Sequence, residues 1–427
     1  MTHRQLTHWQ KEKRLQRIVA IAGIVVIVAI LALVGVGFYM AKFKPMHQTV
    51  LKIGNTEYNM DYMIDTLAAM GIKNADATYQ SMYASYAVQT IEQNYFLVQA
   101  AATGYDNITP VTVSDAEVMK YIADNNLSKD KTRQDAVRRQ LVTDKLKSDV
   151  FSPQVPATAE HRSVWAMLLE SQAQADQVKA RLDKGEKFAD ITAELSLNGV
   201  TKDKKGDLGW LPYGILSSVL TNIGDNSTTL LENKIFDSTT TNGTFTLYDA
   251  DLDKNIGYWL IKRTDTNDDN TRAHIYAMLL GSRQQADQVK TELSAGGNGH
   301  DWATLAKAYS LYDNATGNGG DLGLKAKGDL GDAVDAVVFD ADGNVILDAD
   351  NVTAPLADAS QTTKGAMWLV QINGIENQTI SDANRTTFIA DKLNAWFIEY
   401  YTANKDNVTN LLDPDLQQYA INQAVKR

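Results

Sequence analysis

The 427-residue sequence contains no cysteine. That excludes a disulfide framework, a cysteine nucleophile, thiolate metal sites and a lipidated cysteine anchor. Proline is sparse, with 7 residues, and the 27 glycines are too few for a low-complexity Pro/Gly chain. Basic charge is in deficit: 41 Lys and Arg face 52 Asp and Glu, a net charge of −11. A nucleic-acid partner, which needs a basic face to neutralise phosphates, is not expected. Histidine is limited to His3, His8, His47, His161, His274 and His300. No His-Glu-x-x-His helix, Walker loop or dinucleotide fingerprint occurs, so no metal and no cofactor is expected. What remains is ordinary globular usage, 44% hydrophobic and 22% charged, with a length that suggests about three domains.

Long apolar runs are also scarce. One exists, residues 18–41, with 24 residues and no charge. As a helix it would be roughly 36 Å long, enough to cross a bilayer with some tilt. Arg4, Lys11, Lys13, Arg14 and Arg17 precede it, opposed by Glu12, and Lys42 and Lys44 follow it. The positive-inside bias predicts a cytoplasmic tail at 1–17, a single transmembrane anchor at 18–41 and an extracytoplasmic remainder on the cell membrane. The alternative is a cleaved signal peptide, whose apolar core runs only about 7–15 residues.

The rest is organised by a repeat. Ala166-Met167-Leu168-Leu169, Ser171 and Ala175-Asp176-Gln177-Val178-Lys179 return 111 residues later as Ala277-Met278-Leu279-Leu280, Ser282 and Ala286-Asp287-Gln288-Val289-Lys290. Gly206-Asp207-Leu208-Gly209 returns as Gly320-Asp321-Leu322-Gly323 at an offset of 114, the extra residues falling in the Gly296–Gly299 turn. Each repeat reads as βααβ: an apolar strand, a helix capped by Ser171 or Ser282, and a second helix carrying Phe188, Ile191 and Leu195 or Trp302, Leu305 and Tyr309. The repeats end in the strands Tyr258–Ile261 and Met367–Val370, and the polar run Thr264–Asn270 reads as a linker between them. Asp249, Asp251, Asp253 and Asn255 alternate like a calcium loop, but Lys254 and Leu260 stand where Gly and Glu are wanted, so a hairpin turn is expected there. Phe339–Asn344 reads as another turn.

Before the repeats, Val50–Asn55 reads as a strand and turn, followed by helices at about 59–70, 80–103, 114–126 and 130–150, the third opened by a Ser114–Glu117 capping box. After them, Ser381 starts a helix with Leu393, Trp396, Phe397 and Tyr400 on one face. Neither flank can close a core alone. The expected fold is therefore α+β: the anchor, a helical region at 42–156, repeat domains at 157–267 and 271–376, and C-terminal helices at 377–427 packing back on the helical region.

The ordered set of strand, helix and Gly-Asp-Leu-Gly turn, seen twice, resembles parvulin-type (PpiC-like) peptidyl-prolyl isomerases. The arrangement with helical flanks is similar to the extracytoplasmic foldases of the SurA, PrsA and PpiD type. This resemblance implies a pocket with two neighbouring imidazoles, one on the first strand and one on the last. By register those positions are Ala166 and Ala277, then Trp259 and Trp368, so both repeats lack both histidines. The third polar position falls near Asn198 and Tyr312. The pocket walls fall on Leu208, Leu216 and Leu220, and on Leu322, Leu330 and Val334. These leucines either line an apolar groove or pack the core. His161 and His274 point to the opposite strand face and are no substitutes. No catalytic residue is therefore assigned. The resemblance implies a foldase or chaperone that binds unfolded exported polypeptides with weak or lost isomerase activity; the alternative is an active prolyl isomerase on secreted proteins.

Overall fold

The computed structural model describes residues 25–34, 36, 39, 44–312 and 317–427. The expected tail at 1–17 and much of the expected anchor lie outside the described residues. Residues 25–34 are helical and exposed. Among the described residues no helix is long and apolar enough to cross a membrane.

The chain forms two compact units, one drawn from both flanks (up to Val155, and Arg385–Arg427), the other from Pro156–Asn384. In the first, strands β1 (Thr49–Ile53) and β2 (Thr56–Asn59) form an antiparallel sheet with Val408–Asn410 on the far side of β1. The helices are Met60–Ala69, Gln80–Thr103, Asp115–Asp124 and Lys131–Lys145, and the capping box at Ser114 and Glu117 is formed. Two cores tie the flanks together. Met63, Ile64, Leu67, Ile91 and Phe96 pack with Leu412, Ala420 and Ile421. Val118, Ile122, Val137, Leu146 and Phe151 pack with Leu393 and Trp396 of the helix Asp382–Asn404. The Leu393/Trp396/Phe397/Tyr400 stripe spans i, i+3, i+4 and i+7, one face of a helix, which is why it meets the N-terminal helices as a ridge. The Trp396 indole donates to Tyr105 O at 3.0 Å. The strand Val408–Asn410 and the helix Pro414–Ala424 carry too short a pattern to stand out in sequence.

Among its described residues the second unit holds eight strands: β3 (Thr158–Leu169), β4 (Asp207–Pro212), β5 (Gly243–Lys254), β6 (Gly257–Thr266), β7 (Arg272–Leu280), β8 (Asp321–Ala326), β9 (Leu356–Asp358) and β10 (Thr363–Thr379). They make two four-stranded sheets of order β4-β3-β10-β5 and β8-β7-β6-β9. The repeats thus exchange their last strands. β10, from the second repeat, lies beside β3, while β6, from the first, lies beside β7. The expected break between 157–267 and 271–376 does not divide the sheets; the first sheet takes residues 158–254 and 363–379, and the second takes 257–358.

Turn chemistry accounts for part of this. The run Thr264–Asn270, expected as a linker, instead leads into a tight β6–β7 hairpin. Asn267 Oδ1 accepts from Thr271 N at 2.9 Å and Arg272 N at 2.7 Å, and Asn270 takes the left-handed φ of 59° that asparagine tolerates. Between β5 and β6 stand only Asn255 and Ile256. A two-residue hairpin loop demands positive φ, which a β-branched isoleucine resists, so the chain passes straight from one sheet into the other. The acidic run Asp249–Asn255, expected as a turn, lies mostly in β5. Phe339–Asn344 does turn, with Asp340 N donating to Asn344 O at 2.9 Å.

Despite the exchange, the two sheets repeat each other in backbone detail. Ala166 N donates to Gly206 O, and Ala277 N to Gly320 O, both at 2.9 Å. Gly206 and Gly320 have φ of 90° and 82°, and a Cβ there would lie 2.8 Å from the Phe188 ring or 2.5 Å from Trp302 Nε1. That close approach of the turn to the second helix is what the repeated glycine permits.

Candidate functional site

Alternation along β3 separates two faces. Met167 and Leu169 pack with Met367, Leu369, Val178, Phe188 and Ile191 on the helical side. Ala166 and Leu168 face the other way, opposite Val370 and Trp368 of β10. In the second sheet Ala277 and Leu279 lie opposite Ile261 and Trp259 of β6. The strand exchange therefore corrects the expected partnership. Ala166 shares its sheet with Trp368, not Trp259, and Ala277 shares its sheet with Trp259, not Trp368.

Within the second sheet, the structure brings six of the expected residues together. Trp259, Ala277 and Val334 are buried in one cluster, with Tyr312, Leu322 and Leu330 against it. The Trp259 ring meets Tyr312 edge-on at 5.2 Å. In the first sheet Ala166, Leu208, Leu216, Leu220 and Trp368 are all buried. Asn198 departs from the expected role, because its Oδ1 accepts from Thr201 N at 2.9 Å as the N-cap of the helix Gly199–Asp203. A side chain committed to an orphan helix N–H is positioned to hold that turn.

His161 and His274 lie elsewhere. His161 Nδ1 is 2.9 Å from Ala159 O. His274 Nε2 is 2.6 Å from Asp321 Oδ1, with the His274 ring stacked on Tyr276 at 5.4 Å. Tyr276 packs against the helical-side cluster, away from Ala277. Among the described residues no group of three or more His, Cys, Asp or Glu is placed to hold a metal.

Two residues beside these tryptophans, Asp358 and Asp249, escaped the sequence reading. Trp259 Nε1 donates to Asp358 Oδ2 at 3.0 Å. Burial pushes the Asp358 carboxyl up, but hydrogen bonds from Ser360, Trp259 and Gln361 outweigh it and leave Asp358 below the usual carboxylate range. The equivalent acid in the first sheet is Asp249. Trp259 pairs with Leu356 and Trp368 with Leu247, and the acid stands two residues further on in each strand. The signal was present as Leu247-Tyr248-Asp249 against Leu356-Ala357-Asp358, a match beyond the point where the repeat was followed. In the first sheet the bond is not made. Trp368 Nε1 and Asp249 Oδ2 are both buried without a hydrogen-bond partner.

Residues 159–267 match the family model of the PPIC-type PPIASE domain. Over those residues the chain is similar to a parvulin-type domain. It is 29% identical over 120 residues to the foldase protein PrsA of Caldanaerobacter subterraneus, a match covering 25% of this chain and 39% of that relative. A shorter stretch of 47 residues is 47% identical to the foldase protein PrsA of Clostridium tetani, covering 11% of this chain and 14% of that one. Among solved structures, the peptidylprolyl isomerase PrsA of Bacillus anthracis aligns over 82% of this chain and 96% of its own, at 11% identity and a TM-score of 0.24. The parvulin-type match at 159–267 runs through β6, the strand that the fold gives to the other sheet.

As chemistry, both faces are mostly buried apolar packing, with the Trp259 indole committed to Asp358 and the Trp368 indole without a partner. Indole donates a hydrogen bond but cannot shuttle a proton, and neither alanine supplies a polar group.

Proposed function

We propose that this chain is an extracytoplasmic foldase that binds unfolded exported polypeptides, anchored in the cell membrane by residues 18–41 with its basic tail in the cytoplasm. The two sheets, each holding strands of both repeats, act in it as parvulin-like domains whose isomerase turnover is weak or lost. The observation that carries this reading is the shared replacement at the imidazole positions, Ala166 with Trp368 and Ala277 with Trp259. Catalysed X–Pro rotation requires stabilising a twisted imide whose resonance is broken, against a spontaneous flip of tens to hundreds of seconds. Holding an extended chain needs apolar side chains to be buried, not a polar centre.

Aggregation of a denatured client, followed by light scattering with the full chain at stoichiometric amounts, tests the binding reading; no slowing of aggregation would sink it. A protease-coupled proline-peptide assay tests the second half. The expected result is a rate close to the uncatalysed one. Fast turnover that is lost on Trp368→Ala would replace the chaperone reading with an active isomerase.

A further inference from the structure

The flank-built unit contains a cavity of about 730 Å³, remote in sequence from both repeats. Tyr58, Tyr62 and Tyr95 line it, with five acidic side chains against one lysine and one arginine. The tyrosines form a partly dry wall. Tyr58 and Tyr62 meet edge-on at 4.9 Å, and burial together with the Asp135 charge pushes both hydroxyls up.

The two lining cations are already committed. Lys131 Nζ pairs with Asp135 at 2.8 Å, and Arg138 is held by Asp115 and Val113 O. The Asp135 carboxylate also accepts from Tyr62 OH at 3.1 Å. Asp61 and Asp65 differ. They stand one helical turn apart on Met60–Ala69, so their carboxylates lie on one face, and both are engaged by the guanidinium of Arg427, at 2.5 Å for Asp61. The chain thus already shows what this acid pair takes: a planar cation with several donors, which matches paired carboxylates better than a point charge does.

We propose that this cavity is a binding site for arginine-bearing segments of client polypeptides, with the guanidinium on Asp61 and Asp65 and a neighbouring side chain against the tyrosine wall. Arg427 occupies the acid pair in cis and competes with the client. The inference rests on the polypeptide-binding reading above and deepens it by naming the side chain that is read. It assigns the recognition to the flank-built unit rather than to the repeats.

The test uses the full chain and a fluorescent unstructured peptide of alternating tyrosine and arginine, beside the same peptide with citrulline, which keeps the shape and removes the charge. Anisotropy should show the arginine peptide binding about tenfold tighter, the effect of one charge-assisted contact. Asp61→Asn with Asp65→Asn should abolish that preference, and Arg427→Ala should tighten binding a few-fold by removing the competitor. A thermal melt of each variant checks that the unit remains folded. Equal binding of the two peptides overturns the proposal, as does a preference that survives the double substitution. If aggregation suppression persists in either case, the foldase reading stands and only this site falls. If suppression is absent from the unmodified chain, the foldase reading itself falls.

Discussion

The two sheets of the repeat unit start from nearly the same residues and finish differently. Trp259 and Trp368 occupy the same register position, as do Asp358 and Asp249, yet only the second sheet closes the indole–carboxylate bond. The difference lies in the neighbouring strand. β9 is a three-residue strand, whereas β5 is a long strand whose pairing with β10 slips between Lys364 and Ala366, beside Asp249. Gly365 sits in that bulge with φ 84°, and Asp249 Oδ1 accepts from Asp251 N at 3.3 Å. A bulge re-aims side chains without changing the sequence that bears them. The first sheet therefore keeps a buried donor and a buried acceptor without partners, each costing about 1–3 kcal/mol. The second has turned the same residues into a closed contact.

The largest expected break in this comparison is at Arg162. Its guanidinium is buried and donates to the carbonyls of Ile235, Asp237 and Thr240 where the helix Asp225–Ile235 ends, and it lies over the Phe236 ring. The second repeat has Ala273 there. Arg162→Ala makes the first sheet resemble the second, but it strands those carbonyls. Chemical denaturation should show a loss of about 3 kcal/mol or more, because buried acceptors lose their donor without gaining water. A loss below about 1 kcal/mol would mean that the helix end is held by packing alone.

The tryptophans give a smaller and sharper contrast. Trp259→Phe and Trp368→Phe remove similar volumes, but only the first breaks a hydrogen bond and leaves Asp358 without its indole donor. The difference between the two losses should be about 1–2 kcal/mol, larger for Trp259. Equal losses would show that the Trp259–Asp358 bond adds nothing beyond packing.

The smallest effect concerns the crossing between the sheets. Lys254 ends β5 and its ammonium donates to Lys364 O at 3.2 Å and to Gly365 O. Burial pushes it down to about 8 from its ordinary value, the Glu170 charge opposing the shift. The folded state therefore releases this proton before the unfolded chain does. Between about pH 8 and the ordinary lysine range the unfolded state binds more protons, so stability should rise with pH there, and below about 8 the penalty is present in full. Lys254→Thr, the residue that Thr363 supplies at the equivalent position, should flatten that slope in melts from pH 7 to 10. A slope that persists would assign it to other groups, such as the tyrosines.

Much of this architecture was legible before any coordinates. Capping residues marked the helix starts at Ser114, Ser171, Ser282 and Ser381, and periodic stripes marked the faces that bury. The pairing of two flanks, neither of which could close a core, was legible too. The misses share one cause. Thr264–Asn270 was taken for a linker because polar composition does not distinguish a linker from a hairpin turn, and Asp249–Asn255 was taken for a turn because alternating acids also suit an exposed strand edge. Asn198 fell near the third polar position because register alone does not reveal that an asparagine caps a helix.

By itself, the sequence settled the capped helices at Ser114, Ser171, Ser282 and Ser381, the buried stripe of Leu393 and Trp396, and that one stretch of sequence occurs twice. These follow from local periodicity and capping, where each residue's neighbours in the chain are its neighbours in space. Only the tertiary structure decided that β6 and β10 change places, that Trp368 belongs with Ala166, and that one indole finds its carboxylate while the other does not. Strand pairing is a choice among distant partners with the same period. When a stretch of sequence is repeated, both choices present nearly identical edges, so the repeated pattern alone does not select between them.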